Sequence, residues 1–161
     1  CMRAAAMEPR IRRVVSWSVL PSIYGALMAD KPAEIQAKLE RWLDENNRDA
    51  ILDLYAGLAE REPLFRWSIQ HSNYAYGTSD VYEYLQKARA FTIEPVAERI
   101  TQDVLVDFAL YKQEIDLLKN TRSLEFAAPG RALNGQAHCN MGNTKYMLDL
   151  ILNWNDRMLE R

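Results

Sequence analysis

Cysteine and histidine are scarce in this chain. Its 161 residues include two cysteines, Cys1 and Cys139, and two histidines. Two cysteines are too few for the disulfide framework of a small secreted domain, and they lack the paired ligand spacing of a zinc site. The sequence therefore predicts a reduced, cytoplasmic protein without a metal centre.

Glycine is also rare, and long runs of one charge sign or of apolar residues are missing. The six glycines form no phosphate-binding pattern, so we expect no cofactor. Lys and Arg number 20 against 22 Asp and Glu, a balance that excludes a basic nucleic-acid surface. The apolar runs fall short of the roughly 20 residues of a membrane helix. The first residues also lack the apolar core of a signal peptide. Neither a nucleic acid nor a membrane is expected as a partner.

Hydrophobic periodicity gives the fold class. The composition, 48% hydrophobic and 26% charged, is that of an ordinary globular domain. Short apolar runs that end near residues 17, 106 and 126 predict strands. A helix precedes the first strand, about four helices follow it, and a helix follows each of the other two. This alternation predicts an α/β fold with a few parallel strands and flanking helices.

The helical stretch in the middle predicts two domains. Residues 1–17 and 91–161 are expected to form the sheet-containing core, and residues 18–90 a helical insertion. The insertion is rich in aromatic residues, among them Trp42, Trp67, Tyr74 and Tyr76. These side chains either pack inside the insertion or line an apolar pocket for a ligand.

The two histidines differ in their surroundings. His71 lies near the end of a predicted helix and is interpreted as structural. His138 follows the loop after the last predicted strand and precedes the final helix. Loops beyond the carboxyl edge of a parallel sheet are where such folds place their sites, and imidazole exchanges protons near neutral pH. His138 is thus a candidate general base, with a structural loop histidine as the alternative.

The segment around His138 resembles the catalytic-histidine loop of the α/β-hydrolase superfamily. Residues 133–143 read LNGQAHCNMGN, and residues 148–154 read LDLILNW. They are similar to a branch with a helical cap that includes pseudooxynicotine hydrolase-like and dipeptidyl-peptidase-like serine hydrolases. Residues 3–15 and 91–106 also resemble that family, around the strands that follow the nucleophile and precede the catalytic acid.

This resemblance implies a Ser–His–Asp triad that attacks an ester, an amide or an activated carbon–carbon bond of a small molecule. Only His138 is carried over, as the catalytic general base. No serine lies in a GxSxG sequence. The chain also opens on helix formers without an N-cap, so we expect the nucleophile to precede Cys1.

The catalytic acid is not assigned from the sequence. The strand at 103–106 passes directly into Asp107, so that the family's loop is about a dozen residues shorter here. Asp107 is interpreted as the N-cap of a helix that carries Phe108, Tyr111, Ile115 and Leu118.

Two functions follow. The first is the C-terminal part of a capped serine hydrolase, with negligible turnover expected from these 161 residues alone because a base needs a nucleophile to deprotonate. The alternative is a non-catalytic relic of that fold or an interaction protein, which self-associates through an exposed sheet edge.

Overall fold

The computed structural model describes residues 1–17, 20–107, 111–135 and 138–160, without the side chains of Tyr111 and His138. Contacts divide the chain into two compact units. The sheet unit consists of Cys1–Pro21 and Ile93–Arg161, and the helical unit of Ser22–Thr92. None of the described helices combines the length and apolar content that crossing a bilayer demands.

Three strands form one parallel sheet in the sheet unit. They are β1 (Arg13–Trp17), β2 (Asp103–Asp107) and β3 (Ser123–Ala127), in the spatial order β1-β2-β3. All five residues of the central strand β2 are buried, as its apolar run indicates. The prediction of a mixed α/β fold with a small parallel sheet is therefore confirmed.

Eight α-helices and one longer 3-10 helix surround or precede these strands among the described residues. In chain order they are α1 (Met2–Met7), α2 (Ile23–Met28), α3 (Ala33–Asp44), α4 (Arg48–Arg61), α5 (Pro63–Tyr76), α6 (Val81–Arg89), the 3-10 helix Glu94–Arg99, α7 (Tyr111–Leu117) and α8 (Thr144–Leu159).

The two faces of the sheet carry different helices because successive strand residues point to opposite sides. On one face, Val104 and Val106 pack in a cluster with Met2 of α1 and with Leu118, which follows α7. On the other face, Leu105 packs against Trp154 and Met158 of α8. The strand tips therefore lie between two packed layers of helices.

The apolar face predicted for α8 is partly wrong. The sequence groups Met147, Leu148, Ile151, Leu152, Met158 and Leu159 on one face. The structure buries Met147, Trp154 and Met158, whereas Leu148, Leu152 and Leu159 are exposed. The buried positions recur at helical spacing through Ile151, and the exposed leucines form a second stripe one position further on.

The helical unit has its own core, which includes Leu39, Ile51 and Leu85. The sequence predicts a helix that stops at Gly77 and a following helix capped by Ser79 or Asp80, and both boundaries are confirmed. The Asp80 side chain accepts a hydrogen bond from the backbone N–H of Glu83 at 3.0 Å and caps α6. Gly77, with φ of 60°, ends α5 in the left-handed conformation that glycine adopts without strain.

The structure divides the four aromatic residues that the sequence singles out in the helical unit. Trp67 and Tyr74 lie on α5 with 58% and 87% of their surface exposed, so neither packs inside the unit. Trp67 instead stacks on His71, with 5.1 Å between the ring centroids. Trp42 and Tyr76 pack against the core as predicted. A cavity of about 50 Å³ in this unit is lined by other residues, among them Tyr55 and Phe65.

Candidate active site at the carboxyl edge of the sheet

The three strands end level with one another. Trp17, Asp107 and Ala127 are paired in register, so the last residues of β1, β2 and β3 form a single edge. Ligands of open parallel sheets bind in the crevice outside this carboxyl edge. The chemistry-bearing side chains at the edge are therefore the candidates for a site.

Asp107 ends the central strand as a fully buried carboxyl group. It lies two residues beyond Leu105, so its side chain is on the face that α8 covers. Neither carboxylate oxygen accepts a hydrogen bond from a described residue. Burial raises the pKa of Asp107 from 3.8 to about 6. A perturbed carboxyl group in this position is typical of functional sites.

The interpretation of Asp107 as a helix N-cap stays a prediction. A cap accepts a hydrogen bond from the first turn of its helix, and residues 108–110 of that turn lie outside the described part of the chain. Asp107 itself is the fifth residue of β2, paired on both sides. The described part of α7 begins at Tyr111. Phe108 and the Tyr111 side chain, which the same prediction named, lie outside the described residues.

His138 begins a short 3-10 turn, His138–Asn140, between the loop after β3 and α8. Its side chain lies outside the part of the chain that the structure describes, so its predicted role as general base stays a prediction. The backbone of the turn is unusual. Cys139 and Asn140 have φ values of 55° and 52°, which is the left-handed region that few residues adopt.

A pair of hydrogen bonds attaches this turn to the sheet. The Trp17 indole Nε1 donates to Asn140 Oδ1 at 2.8 Å, and Asn140 Nδ2 donates to the Gly135 carbonyl at 2.9 Å. Asn140 is fully buried. Trp17 and Asp107 are register partners and therefore point to the same face of the sheet. The Trp17–Asn140 hydrogen bond thus holds the turn that carries His138 at the carboxyl edge of the sheet, on the face where Asp107 lies.

The loop before α8 requires glycine at two places. A Cβ at Gly142 would lie 2.2 Å from the Asn134 carbonyl oxygen, and one at Gly135 would lie 2.5 Å from Pro129 Cβ. Asn143 then begins α8, since its Oδ1 accepts from the Tyr146 N–H at 3.2 Å. Its Nδ2 donates to the Leu133 carbonyl at 3.0 Å. These contacts give a physical reason for the glycines and for the final asparagine of LNGQAHCNMGN.

A second buried carboxyl group lies on the opposite face of the sheet, and no local sequence pattern indicated it. Ser16 Oγ donates to Glu114 Oε1 at 2.7 Å, and both residues are fully buried. Burial raises the pKa of Glu114, and the Ser16 hydrogen bond partly offsets this. Ser16 is on the face of Val106, away from Asp107. Across the described residues, no three His, Cys, Asp or Glu side chains stand together so as to hold a metal ion.

Glu114 makes stability depend on pH. A carboxyl group with a raised pKa keeps its proton in the folded state after the unfolded chain has lost it, so stability falls as pH rises above about 4.5. Glu114→Gln should therefore raise the free energy of unfolding near pH 8, and this gain should disappear at about pH 4. Urea titrations at both pH values measure it. The exposed Glu98→Gln control should stay within about 0.5 kcal/mol at each pH. A gain that is the same at both pH values would contradict this assignment.

No family model, no curated protein and no solved structure matches the chain. The case for a function therefore rests on the residues of the carboxyl edge.

Proposed function

We propose that this chain is the C-terminal part of a capped serine hydrolase. His138 is the general base, and the helical unit covers a small-molecule substrate with an ester, amide or activated carbon–carbon bond. The observation that carries this proposal is the Trp17–Asn140 hydrogen bond, because it fastens the turn of His138 at the carboxyl edge on the face of Asp107. Parallel α/β folds place catalytic groups at this edge.

Asp107 is proposed as the acid that orients His138. Its buried oxygens have no partner among the described residues and could accept a ring N–H of the imidazole. Such a bond would offset the burial that raises the pKa of Asp107 and would hold the imidazolium that forms during the reaction. In each half-reaction the imidazole takes a proton from the attacking oxygen and returns it to the leaving group, while Asp107 stays ionised.

The nucleophile in this proposal is a serine outside these 161 residues. The chain has no GxSxG sequence. Ser16 in β1 donates its hydrogen bond to Glu114, on the face of the sheet opposite Asp107. In α/β-hydrolases the triad follows the chain order serine, acid, histidine. Asp107 precedes His138 in the chain, as the acid precedes the histidine in that order. The serine is therefore expected upstream of Asp107.

An experiment on a longer protein tests the proposal. The extended chain is this sequence together with the residues encoded directly before Cys1. We expect a fluorophosphonate to label the extended chain at the serine of a GxSxG sequence, and to leave the 161-residue chain unlabelled. The extended chain should hydrolyse p-nitrophenyl acetate. An upstream segment without GxSxG, or a His138-dependent rate in the 161-residue chain, would contradict the proposal.

The second candidate is an interaction protein that self-associates through the sheet. It is favoured by the two outer strands, since within the described residues β1 and β3 each pair with one strand only. Light scattering of the extended chain separates the two candidates. A fluorophosphonate-reactive monomer supports the hydrolase, and an unreactive oligomer supports the interaction protein.

A further inference from the structure

We propose that the Asn140 side chain, held by the Trp17 indole, is the positioning group for His138. The Asn140 latch is defined as Trp17, Asn140 and Gly135 with their two hydrogen bonds. It sets where the backbone of His138 lies against the end of the sheet. The chemical meaning of the latch rests on the proposed hydrolase function, but its geometry does not.

Both the oxygen and the nitrogen of the Asn140 side-chain amide form hydrogen bonds. Oδ1 accepts from Trp17, which is 123 positions away in the sequence, and Nδ2 donates to the carbonyl of Gly135 in the loop itself. The Asn140 side chain is fully buried and Trp17 is half-buried, so both hydrogen bonds are largely shielded from bulk water. Asn140 thereby ties the loop before α8 to the end of β1.

The other end of the latch lies on β1, whose position is fixed by its pairing with β2. Trp17 is the last residue of β1 and is paired in register with Asp107 on β2. The position of the Trp17 indole is therefore fixed relative to β2 and to Asp107, the proposed acid. Since His138 and Asn140 belong to one 3-10 turn, the His138 backbone cannot move far from the end of β1 while the bond holds.

The backbone conformation at Asn140 shows that the turn is held against a local preference. A φ of 52° costs most residues about 1 kcal/mol or more, and asparagine tolerates it better than other non-glycine residues. The two hydrogen bonds of the Asn140 side chain offset this cost. Asparagine at 140 thus combines the left-handed backbone with a side chain that reaches both partners.

The latch is separate from the contacts that hold α8 in place. Trp154 and Met158 pack against Leu105, and Asn143 caps the helix independently of Asn140. Loss of the latch should therefore disturb the turn of His138 much more than the fold. A catalytic group displaced by about 1 Å loses about 100-fold in rate.

Two variants remove the same bond from its two sides. Asn140→Gly keeps the left-handed backbone available and deletes the amide, and Trp17→Phe keeps a ring and deletes the donor. Asn134→Gly is the matched control, because Asn134 is an exposed asparagine of the same loop with φ of 51°. Ring resonances of His138 are followed by NMR during a pH titration, with the His71 signal of the same molecule as internal reference.

We expect each latch variant to move the titration midpoint of His138 to lower pH by about one pH unit, because the imidazolium loses its carboxylate partner. The double variant should add little to either single variant. In the extended chain, kcat should fall about 100-fold with a KM within a factor of two. Asn134→Gly should change neither quantity.

The proposal is overturned if both folded variants keep the wild-type midpoint of His138, or if Asn134→Gly moves it equally. Thermal melting of each variant verifies the fold. The NMR readout needs no nucleophile, but it does need the proposed contact between His138 and Asp107. A midpoint that Asp107→Asn moves and the latch variants do not would therefore contradict the latch alone. Inactive extended chains with a midpoint that follows the latch variants would contradict the function and support the latch.

Discussion

Replacing His138 by alanine is expected to lower kcat/KM of the extended chain for p-nitrophenyl acetate by about 10,000-fold. In the proposed mechanism the imidazole takes the proton of the attacking serine, and His138→Ala removes this base. The rate enhancement that remains should come from substrate binding and oxyanion stabilisation alone. Initial rates at several substrate concentrations measure the change.

His71→Ala is the control for this prediction. His71 is exposed on α5, where it stacks on Trp67, and its removal should leave kcat/KM within a factor of two. Added free imidazole should restore part of the activity of His138→Ala, since it supplies the missing base. A His138→Ala protein that keeps more than about a tenth of the wild-type rate is incompatible with general-base catalysis by this residue.

Replacing Trp154 by alanine is expected to lower the free energy of unfolding by about 3–5 kcal/mol. Trp154 is 1% exposed and packs with Met158 against Leu105 of the central strand. Its indole Nε1 has no partner among the described residues, so the loss arises from apolar packing. A loss of this size is a large part of the stability of a small domain, and urea denaturation measures it.

Leu152→Ala on the same helix provides the comparison. Leu152 is 60% exposed, and its truncation should cost no more than about 0.5 kcal/mol. If the two variants were equally destabilised, the face that α8 turns to the sheet would be assigned wrongly.

Local sequence signals predicted the elements that depend on near neighbours. The buried run of β2, the Asp80 cap of α6 and the stop of α5 at Gly77 are each determined within a few residues. Asp107 lies beyond what such local signals predict. The sequence places it directly after the apolar run of β2, and the pairing with β1 and β3, many residues away in the chain, makes it the buried last residue of the strand.

Helices with two apolar stripes were predicted less well. On α5, Phe65, Ile69 and Tyr76 face the core, and Trp67 and Tyr74 lie on the outside. Both stripes have helical spacing, so periodicity alone does not say which one is buried. The exposed leucines of α8 show the same ambiguity.

The candidate site was predicted in part. The position of His138 in the loop after the last strand suggested the edge of the sheet, and its role as general base stays a prediction. Trp17 and Asn140 were missed because a hydrogen bond over 123 positions leaves no local pattern. Asp107 was named as a helix N-cap, and the sequence assigned it no catalytic role. Its burial at the end of β2 became visible only with the sheet in place.

The proposed contact between the His138 ring and the Asp107 carboxyl group is tested most directly by a pH titration of the His138 ring, followed by NMR. Wild-type protein and Asp107→Asn are compared, with the His71 signal as reference. We expect the His138 midpoint to fall to lower pH when the carboxylate is removed, because the imidazolium loses the charge that stabilises it. An unchanged midpoint in a folded Asp107→Asn protein would show that the two side chains do not meet.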